Sequence, residues 1–402
     1  MSFPRCKHAK KKRSFTNPLL WLGSEPFRLF FLTGILFGIA GVMMWPLFYQ
    51  GRLAFYPGIN HAHIMIQAFG GAFVIGFLGT AGPRILTAPR IKPWELVPLF
   101  VLHVASGVCH LRGLTAWGDR LFLVTLAAFI LALATRVIFF RKNLPPPPLL
   151  LAATGLLCGL AGTAMWSFPA LMSTPALYQL SGLLLNQGFL LGPVMGVGIF
   201  LFPRLLGNDF GEPEPGAATR KSWRNMSIAA VALLASFPLE VWGNHSAGLL
   251  LRTAAFIFAI SHVRWIGEKG SPKVGTLANA LRFCCIPLAI TGLAAPVYFI
   301  GQRIALEHLL FIGGFGLVIL IAASRVLFGH SGSVERFANR SWIARGIVFA
   351  TVLAALTRAS ADFLPRVTIS HYKYAAWSWA TAAGIWLLWH AFRFFKKDDD
   401  PN

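Results

Sequence analysis

Charge of either sign is scarce in this sequence, and acidic side chains are the scarcest. Only 12% of the 402 residues are charged, with 14 acidic residues against 36 basic ones, whereas 56% are hydrophobic. A soluble core of this length cannot bury so much apolar surface. The composition therefore excludes an ordinary soluble domain and favours a chain that uses lipid as its solvent.

Cysteine is also scarce. The five cysteines are Cys6, Cys109, Cys158, Cys284 and Cys285. They contain no Cys-x-x-Cys spacing, and all but Cys6 lie in apolar stretches. A disulfide framework is not indicated. We expect buried free thiols in the apolar stretches.

Long polar connections are missing too, so the chain has no room for a soluble domain. Windows of roughly 20 apolar residues, the length that crosses a bilayer, recur about twelve times. They cover approximately residues 28–49, 60–81, 93–111, 119–140, 148–167, 177–206, 224–243, 246–266, 278–300, 304–328, 342–362 and 372–395. We predict an all-α, polytopic membrane helix bundle of about twelve transmembrane helices at residues 28–395, between a basic tail (1–27) and a short tail (396–402).

The net charge of +22 does not indicate nucleic-acid binding, because the Lys and Arg residues lie between apolar windows. If the basic start is cytoplasmic, the other side receives only 8 of the 36 basic residues. The positive-inside rule then predicts a multi-pass membrane protein with both termini in the cytoplasm. Membrane lipid is the partner this implies, and no protein partner can be inferred.

Eleven histidines are the feature that packing explains least well. On the predicted topology, six lie near outer span ends: His61, His63, His110, His245, His308 and His371. Neutral imidazole is a common ligand of copper and haem iron, so these helix ends can converge on a metal or haem site. Each histidine can equally be an ordinary interfacial residue. His103 lies in mid-span, where an ionisable group indicates a functional site.

The stretch from His61 to Pro83 is the organising element of the chain. Positions two apart on a helix are separated by roughly 200°, so His61 and His63 should face opposite sides. They then serve two centres, or only one of them is a ligand. Gln67 in the same span can be a structural hydrogen-bonding residue.

Arginines at the depth of the outer histidines are candidates for binding haem propionates, because Arg binds carboxylates in a bidentate way. They are Arg112, Arg303 and Arg358, and each can also simply mark the interface. Arg358 and Asp362 lie one helical turn apart, which predicts an ordinary ion pair.

Two motifs resemble the signatures of the NnrS family. Residues 61–65 are His-Ala-His-Ile-Met and residues 76–83 are Gly-Phe-Leu-Gly-Thr-Ala-Gly-Pro, similar to a family motif of His-Ala-His-Glu-Met followed by Gly-Phe-Leu-x-Thr-Ala-x-Pro. In the tenth span, His308 at one end and Ser-Arg-Val-Leu-Phe-Gly-His-Ser-Gly at residues 324–332 are similar to the second family motif. The resemblance covers essentially the whole chain.

The resemblance implies a haem- and copper-containing inner-membrane protein linked to nitric oxide metabolism and to protection against nitrosative stress. It implies haem, of b type, with copper as a further metal and nitric oxide as a small gaseous ligand. Carried over by position, the cofactor-binding residues are His61, His63, His308, Arg325 and His330, and the metal ligands are His61, His63 and His308. It assigns no catalytic residue.

The sequence departs from the family pattern in two places. Ile64 stands where the family has Glu, and the helix before the tenth span carries Cys284 and Cys285 where the family has a histidine. His308 and His330 are about 30 Å apart on a straight helix, so His330 belongs to a second site or to a structural helix end.

Two other functions remain open from the sequence. One is a redox enzyme like the haem-copper oxidases or nitric oxide reductases, although no adjacent histidine pair and no His-x-x-x-Tyr spacing supports it. The other is a transporter or structural membrane protein without a cofactor.

Overall fold

The protein is a bundle of long helices. The computed structural model describes residues 22–207, 217–265 and 274–396, and within these ranges the only regular secondary structure is helical. In chain order the long helices are α1 (Pro26–Tyr49), α2 (Gly58–Ile85), α3 (Pro93–Leu111), α4 (Thr115–Phe140), α5 (Leu149–Ser167), α6 (Pro175–Leu205), α7 (Ala217–Trp242), α8 (His245–Ile260), α9 (Thr276–Val297), α10 (Ile300–His330), α11 (Trp342–Phe363) and α12 (Thr368–His390). The predicted all-α polytopic membrane bundle is confirmed.

The number of spans differs from the number of long helices. Within the described ranges, ten helices are long and apolar enough to cross a membrane. α8 has only 16 residues, and α12 is not among the ten, although it has 23 residues. The predicted count of about twelve is therefore not confirmed. Most of the predicted basic tail, the connection at 208–216 and residues 397–402 lie outside the described residues.

Contacts between helix ends define two faces of the bundle. The start of α1 meets the end of α2, where the backbone N–H of Phe27 donates to Oγ1 of Thr80 at 3.2 Å. The end of α2 meets the end of α10, where Arg84 and His330 are 3.1 Å apart. We call this the basic face. The opposite helix ends, around His61 and His308, form the histidine face.

Glycines allow α5 and α6 to touch backbone to backbone. A Cβ atom on Gly192 would lie 2.5 Å from Cα of Gly155 and 2.6 Å from the carbonyl oxygen of Leu151. Backbone atoms cannot rotate aside as a flexible side chain can. The close helix crossing therefore requires a residue without a side chain at position 192.

Gly192→Ala should destabilise the protein by roughly 1–3 kcal/mol, the usual cost of overfilling a packed contact. Reversible unfolding in detergent by a chemical denaturant measures this loss. The matched control is Gly346→Ala, because a Cβ atom at Gly346 would meet nothing within 4 Å. Equal stability of the two variants would contradict the packing role of Gly192.

The cysteines that the structure describes carry free thiols. Cys158 and Cys285 are buried, whereas Cys109 and Cys284 are only partly covered. All four are free thiols, as predicted, but only two of the four are buried. Cys6 lies outside the described residues.

Candidate metal centre

The two helices that carry the signature histidines change their winding directly after them. α2 is α-helical up to His63 and π-helical over Ile64–Gly70. α10 is α-helical up to His308 and π-helical over Leu309–Gly316. A π-helical turn rotates the side chains that follow it and often lies at a functional site. Both distortions are at the histidine face.

His63 faces α3 and α4, where it meets a second histidine and a carboxylate. Its Nδ1 lies 2.8 Å from Oδ1 of Asp119, and Nε2 of His110 lies 3.8 Å from the same oxygen. All three side chains are buried, and their ligand atoms lie within 4.8 Å of one another. Two imidazoles and a carboxylate form a donor set suited to transition metals.

Gln67 orients this cluster, one helical turn beyond His63. Its Nε2 donates to Oδ1 of Asp119 at 2.7 Å, and its Oε1 lies 3.0 Å from Nε2 of His110. Gln67 therefore holds the Asp119 carboxylate and the His110 ring in place, as outer partners of metal ligands do.

A glycine makes room for the second imidazole. A Cβ atom on Gly118 would lie 2.4 Å from Cε1 of His110. The Nδ2 of Asn60 also donates to the carbonyl oxygen of His110 at 2.8 Å, and Oγ1 of Thr115 donates to Asn60 in turn at 3.3 Å. The backbone at the end of α3 is therefore fixed in place next to the cluster.

Several buried nitrogens of the cluster lack hydrogen bonds. Among the described residues, Nδ1 of His110 and Nε1 of Trp166 have no hydrogen-bonding partner, and Nδ1 of His63 approaches Asp119 at an angle unsuited to a hydrogen bond. The Trp166 ring stands edge-on to His63, with centroids 4.8 Å apart. Unsatisfied buried nitrogens are costly. The two imidazole nitrogens and the donor set fit one bound metal ion.

His61 faces the other side of α2, as the spacing predicts. Its Nδ1 lies 3.0 Å from the carbonyl oxygen of Gly41 in α1. Nδ1 of His308 lies 2.6 Å from the carbonyl oxygen of Ile304. When Nδ1 donates to a carbonyl, Nε2 is the ligand atom. Arg358 is close enough to interact electrostatically with both imidazoles, and they interact with each other.

Arg325 and His330 lie at the basic face, at the far end of α10 from His308. Nε2 of His330 is 3.1 Å from Nη1 of Arg84, and its ring packs on Phe27 with centroids 4.5 Å apart. The five residues predicted to bind cofactors thus occupy three places. His61 and His308 lie within electrostatic reach of each other, His63 joins His110 and Asp119, and Arg325 and His330 lie apart from both.

The other residues singled out from sequence have ordinary partners. Nε2 of His103 lies 3.1 Å from the carbonyl oxygen of Ala68, within an aromatic environment. Arg358 pairs with Asp362 at 3.4 Å, so the predicted ion pair is confirmed. Arg112 is exposed, and Arg303 is bound to two carboxylates.

Those carboxylates belong to a buried ion network that the sequence reasoning missed. Arg252 donates to Glu240 at 2.5 Å and to Gln187 at 2.7 Å. Arg303 bridges Glu240, at 2.7 Å, and Glu307, at 2.6 Å. Acidic residues inside apolar helices, such as Glu240 and Asp119, were the available signal, because a membrane span rarely carries one without a partner.

Fold and site together define a polytopic helical membrane protein with a buried histidine–carboxylate cluster at the histidine face of the bundle. The family model described as NnrS protein matches residues 21–397. The chain therefore belongs to the NnrS family. No curated protein matches it in sequence.

Proposed function

We propose that this protein binds haem and copper in the bacterial inner membrane, with both termini in the cytoplasm, and takes part in nitric oxide metabolism or in protection against nitrosative stress. Family membership supports the proposal. The observation that carries it is the buried cluster of His63, His110 and Asp119, whose donor atoms lie within 4.8 Å of one another.

The cluster is the place we assign to the copper. His63 and His110 supply imidazole nitrogens and Asp119 supplies an anionic oxygen, a set that suits copper(II) and also zinc or iron(II). A copper ion there would supply a one-electron redox centre. Gln67 orients the side chains of Asp119 and His110, and the Trp166 ring covers His63 from one side. Nitric oxide is small and uncharged, so it can reach a buried site through the bilayer.

We assign the haem to His61 and His308. Their Nδ1 atoms lie within hydrogen-bonding distance of backbone carbonyls, so each Nε2 would be available as a ligand of the haem iron. Arg358 supplies a nearby positive charge for a propionate. A haem would supply an iron that binds nitric oxide.

An optical spectrum and a metal analysis of the detergent-purified protein test the proposal. The protein should be expressed in a host supplied with haem and copper. A Soret band that shifts when nitric oxide is added, together with bound copper, is the expected result. A colourless protein without iron and copper would overturn the proposal and leave a cofactor-free membrane protein.

His61→Ala or His308→Ala should shift or weaken the Soret band, because each removes one imidazole that we assign to the iron. The absorption spectrum of each purified variant measures the change. His371→Ala is the matched control on the same face, since Nδ1 of His371 lies 3.1 Å from the hydroxyl of Ser360. Unchanged spectra in both test variants would refute the ligand assignment.

A further inference from the structure

A groove of about 940 Å³ lies at the basic face, away from the metal cluster. Helices α2, α4, α5, α6 and α10 form it, and most of its lining is aliphatic, including Leu133, Ile138, Leu157 and Val197. Its volume lies at the upper end of the roughly 300–1,000 Å³ range of ligand sites. It therefore has room for a large apolar body.

The groove opens sideways toward the hydrocarbon of the bilayer. Ile138 and Leu157 line it, and their side chains are 65% and 57% exposed. Both belong to helices long and apolar enough to span the membrane. Exposed aliphatic side chains on such helices face lipid, so a molecule enters this groove most directly from within the bilayer.

Two arginines without a carboxylate line the end of this groove. Arg204 and Arg325 both line it and lie close enough to repel each other. Among the described residues no carboxylate pairs with either one, whereas Arg84 on the same rim binds Glu25 at 3.1 Å. Two like charges side by side at a membrane face favour an anion between them.

We propose that the groove is a binding site for one anionic phospholipid of the membrane. An acyl chain occupies the aliphatic groove, and the phosphate lies between Arg204 and Arg325. Guanidinium groups bind phosphate through paired charge-assisted hydrogen bonds. A free phosphate ion would leave the apolar groove unused. A haem is disfavoured because His330, the imidazole on the rim, has its Nε2 at 3.1 Å from Arg84.

Native mass spectrometry of the full chain tests this site. Bound lipid is first removed from the purified protein in detergent. The protein is then incubated with phosphatidylglycerol or phosphatidylcholine. The wild type should retain one phosphatidylglycerol preferentially. Arg204→Gln/Arg325→Gln should lower that retention at least tenfold. The matched control is Arg340→Gln/Arg345→Gln, which removes two exposed charges from the same face and should leave retention unchanged.

A second variant tests the groove with both arginines in place. Gly82 lines the groove, and a Cβ atom on it would meet only Leu133, at 3.6 Å. Gly82→Leu should therefore fill the groove without a backbone clash and reduce lipid retention. If both variants retain as much phosphatidylglycerol as the wild type, the proposal is overturned. The proposal is also overturned if the arginine variant loses haem but keeps the lipid. The same holds if inorganic phosphate alone displaces the phosphatidylglycerol.

Discussion

His110→Ala is expected to abolish tight metal binding at the buried cluster. The change removes one of the three ligands that we propose and leaves Gln67 without its imidazole partner. The affinity loss should exceed the roughly 10- to 100-fold that follows loss of an outer partner of a metal ligand. Elemental analysis of the purified variant, followed by titration against a competing chelator, measures the loss.

The variants around this cluster should form a graded series. His63→Ala should match His110→Ala, and Asp119→Asn should also lose the metal, because the amide keeps the shape of the side chain but not its negative charge. Gln67→Leu should weaken binding less, since Gln67 touches the ligands rather than the ion. His262→Ala is the control, because that histidine is exposed and its Nε2 lies 3.0 Å from Asn225.

One outcome would contradict the metal assignment. If the folded His63→Ala and His110→Ala variants both keep the wild-type metal content, the metal lies elsewhere. The cluster would then be a polar contact between the two histidines and Asp119 that holds three helices together. Because His61 and His308 are assigned to haem, the copper content and the Soret band should respond to different variants.

The sequence predicted the class of fold because each apolar window is a local property of the chain. It also predicted that His61 and His63 face apart, since the helical repeat alone decides this. It could not predict which side chains each histidine meets. His110 and Asp119 come from α3 and α4, and only the packing of three helices brings them to His63.

Gln67 illustrates the same limit. A structural hydrogen-bonding role is one reading that the sequence allows for Gln67, and this side chain does hydrogen-bond across helices. Its partners, however, are two members of the candidate metal centre. Whether a polar residue inside a membrane is structural or functional depends on the side chains that face it from neighbouring helices. The sequence of its own helix does not specify those side chains.

Glu240 joins the two arginines of the buried ion network. Glu240→Gln should destabilise the protein by about 3–5 kcal/mol, the usual cost of removing one partner from a buried ion pair. Arg252 and Arg303 both bind Glu240, so the variant leaves them with Glu307 as the only carboxylate of the network. Unfolding by denaturant in detergent measures the loss.

A double variant separates charge imbalance from lost packing. Glu240→Gln/Arg252→Gln removes one charge of each sign, so it should be more stable than Glu240→Gln even though it carries one more substitution. The reference is Glu95→Gln, whose partner Arg136 lies 2.7 Å away at a more exposed site, with Glu95 17% exposed. That variant should cost less, because solvent can compensate the remaining charge.

The network also bears on the haem assignment, because it fixes the start of α10. Glu307 precedes His308 directly and is held by Arg303 and by Gln187, whose Nε2 donates to it at 3.0 Å. Disturbing the network should therefore shift the Soret band while the copper content stays unchanged. If instead Glu240→Gln leaves stability within 1 kcal/mol of wild type, water must reach these charges, and the network is not a buried support of the histidine face.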